Sequence, residues 1–265
     1  MKNQEIKQEV ILRKEENIGI ITLNRPDRLN AINDDVIQLL MSFLNEVTAD
    51  EQIKVVILTG RGNQAFCSGA DLKDPKIGNT DQYSKYLKTY YQPVVKMIGD
   101  MKIPVLAAIN GAVVGAGIGF ALACDYLIMS REAFFYPAFS KIGLVPDSGV
   151  MTYLVRRLGK YRAFEIASLA KKISSEEALN WGLVNKVTNY EDLMATAKEV
   201  ARELSIMPTI AVGLIKYMAN RAEEMSLTEA FEMESDFQEI AAGTKDHLEG
   251  VRAFIEKREP HFKGQ

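Results

Sequence analysis

Residues 103–125 read IPVLAAINGAVVGAGIGFALACD. The run 103–109 is apolar without alternation, the pattern of a strand buried on both faces. It gives way to glycines at 111, 115, 117 and 119 and then to a helix of small residues. A strand, a glycine turn and a helix start in that order aim backbone N–H groups at one point. No Gly-Lys-Ser/Thr closes the loop, which ends Gly119-Phe120, so it is not a phosphate loop. A dinucleotide fingerprint starting at Gly115 needs glycine where Phe120 stands. The glycines alone admit two readings, tight helix-on-strand packing or a binding loop.

The rest of the chain extends the same architecture. Residues 10–13 and 18–23 are β-rich runs around a turn and predict a hairpin. NRPDRLNAIN at 24–33 is a turn set by Pro26, and Asn33 or Asp34 caps a helix carrying the periodic IQLLMSFLNEV. VVILT at 55–59 is a second buried strand, followed by a loop over 60–74. Residues 81–101 predict a helix with a kink at Pro93. Strands are expected at 126–129 and 134–136. This alternation argues for parallel strands joined by crossovers. From 151 onward the pattern is helical, at 151–158, 160–169, 175–180, 190–205, 208–220, 226–241 and 244–256, with 183–187 the exception. The expected organisation is an α/β core over 1–200 and a C-terminal helical region over 201–265.

Composition narrows the function. Net charge is −3 with Lys and Arg dispersed, which gives no electrostatic surface for nucleic acid. No apolar run reaches the length of a membrane span, and the polar N-terminus lacks the core of a secretory signal. Cys67 and Cys124 have no CxxC spacing and read as small buried residues, and a cytoplasmic setting is expected. His247 and His261, the two histidines, lie in charged C-terminal surroundings, which weakens zinc and Ser-His-Asp readings.

Two further stretches carry chemistry. Cys67-Ser68-Gly69-Ala70-Asp71-Leu72 is a second small-residue turn after a buried strand. Two such turns after neighbouring parallel strands bring two N–H donors together as an oxyanion hole, and glycine and alanine leave room for a carbonyl. In KIGLVPDSG, 141–149, Asp147 follows a proline and precedes a helix; alone it reads as an N-cap. Tyr136 and Ser68 are other polar candidates, with plain readings as strand and turn residues.

Taken together these segments resemble the enoyl-CoA hydratase/isomerase (crotonase) superfamily over nearly the full chain. The resemblance rests on NRPDRLNAIN at 24–33, AFCSGADLKD at 65–74, INGAVVGAGIGFALACD at 109–125, KIGLVPDSG at 141–149, LNWGLVNKV at 179–187 and VRAFIEKREPHFKG at 251–264. It implies a spiral fold of ββα units with a C-terminal helical trimerisation region, and an acyl-CoA thioester substrate with no other cofactor and no metal. It implies that the N–H groups of Ala70 and Ala116 hold the thioester oxygen. Arg28, Leu29 and Ala31 would face the adenine and pantetheine. Ser68, Asp71, Leu72, Gly115, Phe139 and Leu144 would line the substrate. Phe254 and Lys257 would approach the nucleotide, often from a neighbouring subunit of a homotrimer or dimer of trimers.

The sequence also departs from the hydratases it resembles. They carry two water-activating glutamates, at positions held here by Gly119 and Phe139. Asp147 stands where some isomerases of the superfamily place an acid, and the closest resemblance is to 1,2-epoxyphenylacetyl-CoA isomerase and enoyl-CoA isomerase members. The expected reaction is a double-bond shift or epoxide ring opening through a stabilised enolate, with Asp147 as acid and base. Apolar neighbours are expected to raise its pKa. Hydration, another enolate reaction such as decarboxylation on an acyl-carrier-protein thioester, and a non-catalytic acyl-CoA- or RNA-binding role are the rival readings.

Overall fold

The computed structural model describes residues 8–73 and 83–265. Strands run β1 Val10–Glu15, β2 Ile18–Leu23, β3 Val55–Gly60, β4 Ala65–Cys67, β5 Val105–Ile109, β6 Ala112–Val114, β7 Tyr126–Ser130, β8 Phe134–Tyr136, β9 Ile173–Ser174 and β10 Lys186–Thr188. Helices are α1 Asp34–Ala49, α2 Tyr83–Tyr86, α3 Gln92–Asp100, α4 Ala116–Leu122, α5 Val150–Leu158, α6 Lys160–Ser168, α7 Ser175–Asn180, α8 Tyr190–Ser205, α9 Thr209–Arg221, α10 Leu227–Ala242 and α11 Lys245–Glu256.

The strands form two sheets. The larger has the order β1-β2-β3-β5-β7-β10, and the smaller β4-β6-β8-β9. In the larger, only the β1–β2 hairpin is antiparallel; β2, β3, β5, β7 and β10 pair in parallel. Its continuous apolar strands follow from burial on both faces. Val55 and Ile57 pack under Leu193, Ala197 and Val200 of α8, while Val56 and Leu58 face the main core with Leu40 and Leu44 of α1. Alternate side chains of one strand thus enter two different cores. Helix α8 runs through residue 200, and its Ala201 is fully buried against the sheet.

Two features depart from the sequence reading. The smaller sheet was only partly expected: 134–136 reads as a strand, while Ala65–Cys67, Ala112–Val114 and Ile173–Ser174 are two or three residues long and show no period. The sequence did not reveal the π turn just upstream of Pro93, Leu87–Tyr91, in which the Gln92 N–H donates to the Leu87 carbonyl. Pro93 cannot donate, and its ring crowds the carbonyl one turn earlier, so widening that turn relieves the conflict. The start of the predicted 81–101 helix lies outside the described residues.

A buried lysine helps tie the C-terminal helices to the core. Lys216 of α9 places Nζ 2.7 Å from Asp125 Oδ2, and donates to the carbonyls of Ile98 at 2.9 Å and Ile103 at 3.3 Å. Asp125 Oδ2 also accepts from the Val105 N–H at 2.8 Å. Burial pushes the Asp125 carboxyl above its usual range, against the opposing pull of Lys216. Beyond this anchor, α10 buries no residue, and α11 buries only Asp246 and Ala253.

Candidate active site

The small sheet assembles the site. β4, β6 and β8 lie side by side in parallel, so their C-terminal ends share one edge. β4 runs into the turn 68–70, β6 into Gly115 at the head of α4, and β8 into the segment that leads to Asp147.

The first two turns touch. A Cβ built on Gly69 would lie 2.9 Å from the Val114 carbonyl oxygen and 3.5 Å from the Ala116 nitrogen. One built on Gly115 would lie 3.9 Å from both Gly69 Cα and Phe139 Cζ. Gly115 has φ 55° and ψ −129°, a conformation that excludes side chains, and it turns the chain so that Ala116 opens α4. Neither the Ala70 nor the Ala116 N–H has a backbone acceptor among the described residues. Ala116 is buried, so an oxygen held there meets its donors with little competition from water.

The Ala70 turn is held from behind. The Ile32 N–H donates to Gly69 O at 2.8 Å, and the Asp71 N–H to Ile32 O at 2.8 Å. Arg25 then clamps the assembly: Nη1 lies 3.0 Å from Asp71 Oδ2 and 2.7 Å from Ala31 O, and Nε lies 3.0 Å from Glu9. The Asp71 carboxylate thus pairs with Arg25 through Oδ2 and accepts from the Lys73 N–H at 3.2 Å through Oδ1. The Ser68 N–H donates to Leu29 O at 3.1 Å, so Ser68 also serves this junction. Arg28 and Leu29 are exposed at its rim, with Leu29 at φ 52°, while Ala31 is buried. Leu72 is exposed.

Asp147 is half-buried and accepts a hydrogen bond from Ser148 Oγ at 2.8 Å. Burial pushes its carboxyl above the usual range, and the Ser148 bond offsets part of that shift. The N-cap of α5 is Gly149, with no side-chain cap, so Asp147 does not fill the capping role that its sequence position admits. Ser148 is buried, with φ 52°. Its backbone packs on α4: a Cβ on Gly119 would fall 2.2 Å from Ser148 O and 2.8 Å from Ser148 Cβ. The volume beside Gly119 is thus filled by the residue next to Asp147. Phe139 is buried, and its carbonyl accepts from the Leu144 N–H at 3.0 Å, closing the loop on which Asp147 stands.

A chain with these converging turns and this length matches the family model described as enoyl-CoA hydratase/isomerase over residues 13–265. The chain belongs to the enoyl-CoA hydratase/isomerase family. It is an acyl-CoA enzyme of the crotonase superfamily. Among its relatives is the 1,2-epoxyphenylacetyl-CoA isomerase of Escherichia coli K12, 39% identical over 95% of this chain and 97% of that protein. The short-chain-enoyl-CoA hydratase of Clostridium acetobutylicum is 35% identical over 94% of this chain and 95% of its own length. The crystal structure of enoyl-CoA hydratase from Bacillus anthracis superposes with a TM-score of 0.93 at 32% identity, covering 97% of this chain and all of that one. The α/β crotonase fold with its C-terminal helices is the architecture described above.

Other candidate residues lie elsewhere. Phe254 is 85% exposed on α11, where it lines a separate groove with Pro208, Ala242 and Phe262. Lys257 caps α11 with φ 54°. Both cysteines are buried and unpaired, and burial pushes the Cys67 thiol up to about 12. Among the described residues no group of three or more His, Cys, Asp or Glu side chains could hold a metal ion, and no helix is long and apolar enough to cross a membrane. The sequence reading missed two residues of the site, Arg25 and Ser148. The available signals were an arginine directly before Pro26 and a serine inside an Asp-Ser-Gly turn.

Proposed function

We propose that this enzyme is an acyl-CoA isomerase that shifts a double bond, or opens a ring epoxide, with Asp147 as its one acid–base group. The thioester oxygen accepts hydrogen bonds from the Ala70 and Ala116 N–H groups. Asp147 takes a proton from the carbon next to the carbonyl. The C–H electron pair moves onto the thioester oxygen as an enolate, extended over the neighbouring double bond. Asp147 then returns the proton to the far end of that system, the carbonyl re-forms, and no water is consumed. The oxyanion donors contribute about 3–4 kcal/mol each and the positioned base ~10²–10⁴-fold.

The observation that carries this reading is the contact between Gly119 and Ser148. It leaves no volume for a carboxylate at 119, while the adjoining Asp147 supplies a half-buried one with a raised pKa. The hydratases among the relatives keep hydration as the competing outcome. A panel of crotonyl-CoA, 3-hexenoyl-CoA and an unsaturated ring-derived thioester tests it. Isomerisation without hydration is expected; robust hydration of crotonyl-CoA overturns the reading.

The assembly belongs to the same proposal. Within residues 201–265, the helices beyond α8 form a trimerisation region, in a homotrimer or dimer of trimers, with Phe254 and Lys257 reaching a neighbour's nucleotide. What supports it is the exposed apolar surface of α10 and α11, including Leu227, Phe231, Leu248, Phe254 and Ile255. A monomer by light scattering refutes it.

A further inference from the structure

Tyr91 is 2% exposed, yet its hydroxyl has no hydrogen-bond partner among the described residues. A buried phenol without a partner is costly, and buried tyrosine hydroxyls ordinarily find one. The residue ends the π turn Leu87–Tyr91, an irregularity that recurs at functional sites. Its ring packs 6.1 Å from the Phe120 ring and 5.7 Å from the Tyr86 ring, centroid to centroid. Phe120 directly follows Gly119, the residue against which Ser148 sits. The neighbouring Tyr86 hydroxyl is committed to Asp34 Oδ1 at 2.7 Å. Burial pushes the Tyr91 phenol up, and Tyr86, Cys67, Asp147 and Asp34 add to the shift. Cys67 ends the strand that feeds the Ala70 turn, and Asp147 is the proposed base. The phenol therefore stays protonated and lies within electrostatic reach of both.

We propose that Tyr91 is a specificity-determining residue whose O–H donates to an oxygen carried on the acyl group, so that the preferred substrates are thioesters bearing a second acceptor oxygen rather than plain hydrocarbon chains. This rests on the reading of the site as an acyl-CoA site, though not on isomerisation. A hydrocarbon acyl chain leaves the donor unpaired inside the complex, whereas an ether, epoxide, ketone or hydroxyl oxygen satisfies it. The proton stays on Tyr91, since the interaction is a hydrogen bond and no group is transferred.

The test is equilibrium binding, by calorimetry, of hexanoyl-CoA and of its keto counterparts carrying one further carbonyl along the chain. A ketone accepts but cannot donate. The parent enzyme is expected to bind at least one keto thioester about tenfold more tightly than hexanoyl-CoA. In Tyr91→Phe that ratio falls to about one, while hexanoyl-CoA affinity is kept. The thermal midpoint of Tyr91→Phe is at or above the parent's, because no protein partner is lost. The proposal is overturned if the parent does not discriminate, if Tyr91→Phe keeps the discrimination, or if the variant loses both ligands equally and melts lower. If no acyl-CoA binds to either protein, the acyl-CoA reading of the site falls, and this proposal with it.

Discussion

The α-carbon of Gly119 and the backbone of Ser148 share one contact: a Cβ on the glycine would lie 2.2 Å from the serine carbonyl oxygen. No rotamer of a larger side chain relieves it, because the obstruction is main chain and Cβ. Gly119→Ala is expected to cost about 1–3 kcal/mol in stability, the range for overpacking a closed core. Gly119→Glu, which restores the residue type of the hydratases, is expected to destabilise at least as much and to yield no crotonyl-CoA hydration. Chemical denaturation and a hydration assay check both; a stable, hydrating Gly119→Glu refutes the account.

Asp147→Asn is expected to lower isomerase turnover ~10²–10⁴-fold with acyl-CoA affinity kept within a few-fold. The base is active when ionised, so kcat/KM of the parent falls as pH drops through the raised Asp147 pKa. For stability the sign is opposite to that of a salt-bridged carboxylate. Folded Asp147 takes up its proton at a higher pH than it does in the unfolded chain, so its charge destabilises the fold as pH rises through that window. At neutral pH Asp147→Asn should therefore melt no lower than the parent. A pH–rate profile and a melting curve measure the two effects separately.

Ala116→Pro deletes one proposed oxyanion donor while suiting the first position of a helix, where proline is tolerated. Loss of ~10²–10³-fold in turnover with an intact far-UV spectrum is expected. Near-normal turnover would show that the Ala116 N–H does not hold the thioester oxygen.

Lys216→Met leaves the partly exposed Asp125 carboxylate, and the Ile98 and Ile103 carbonyls, without their buried cation. A loss of about 1–3 kcal/mol is expected, because solvent at Asp125 screens part of the lost attraction. Adding Asp125→Asn should recover much of it, since the amide oxygen still accepts from the Val105 N–H. Urea titration of the single and double variants reads the difference; equal instability in the two would place the role of Lys216 elsewhere.

The larger sheet was legible in the sequence because VVILT and the 103–109 run have the unbroken apolarity that only two-sided burial requires. Of the smaller sheet, only the strand at 134–136 was. Ala65–Cys67 and Ala112–Val114 are too short for any period, and their pairing depends on partners far along the chain. Of the candidate site, two small-residue turns and an acid after Pro146 were visible in residue types and order, while the choice of Ala70, Ala116 and Asp147 came from the resemblance to the family. The pairing of Asp71 with Arg25 was not visible, because a carboxylate beside a site reads the same in sequence whether it faces substrate or an arginine. Tyr91 escaped for a related reason: a π turn rotates one side chain out of helical phase and leaves no pattern of its own.

The parallel run of β4, β6 and β8 also bears on how such an enzyme changes over evolutionary time. In the proposed reaction the hold on the thioester comes from the ends of the first two strands, and the proton-handling group from the loop beyond the third. Substitutions in that loop can alter the reaction while the grip on the activated carbonyl is inherited unchanged. With Ser148 against Gly119, however, a carboxylate at 119 fits only if the loop withdraws at the same time, so that change needs coupled substitutions rather than a single one.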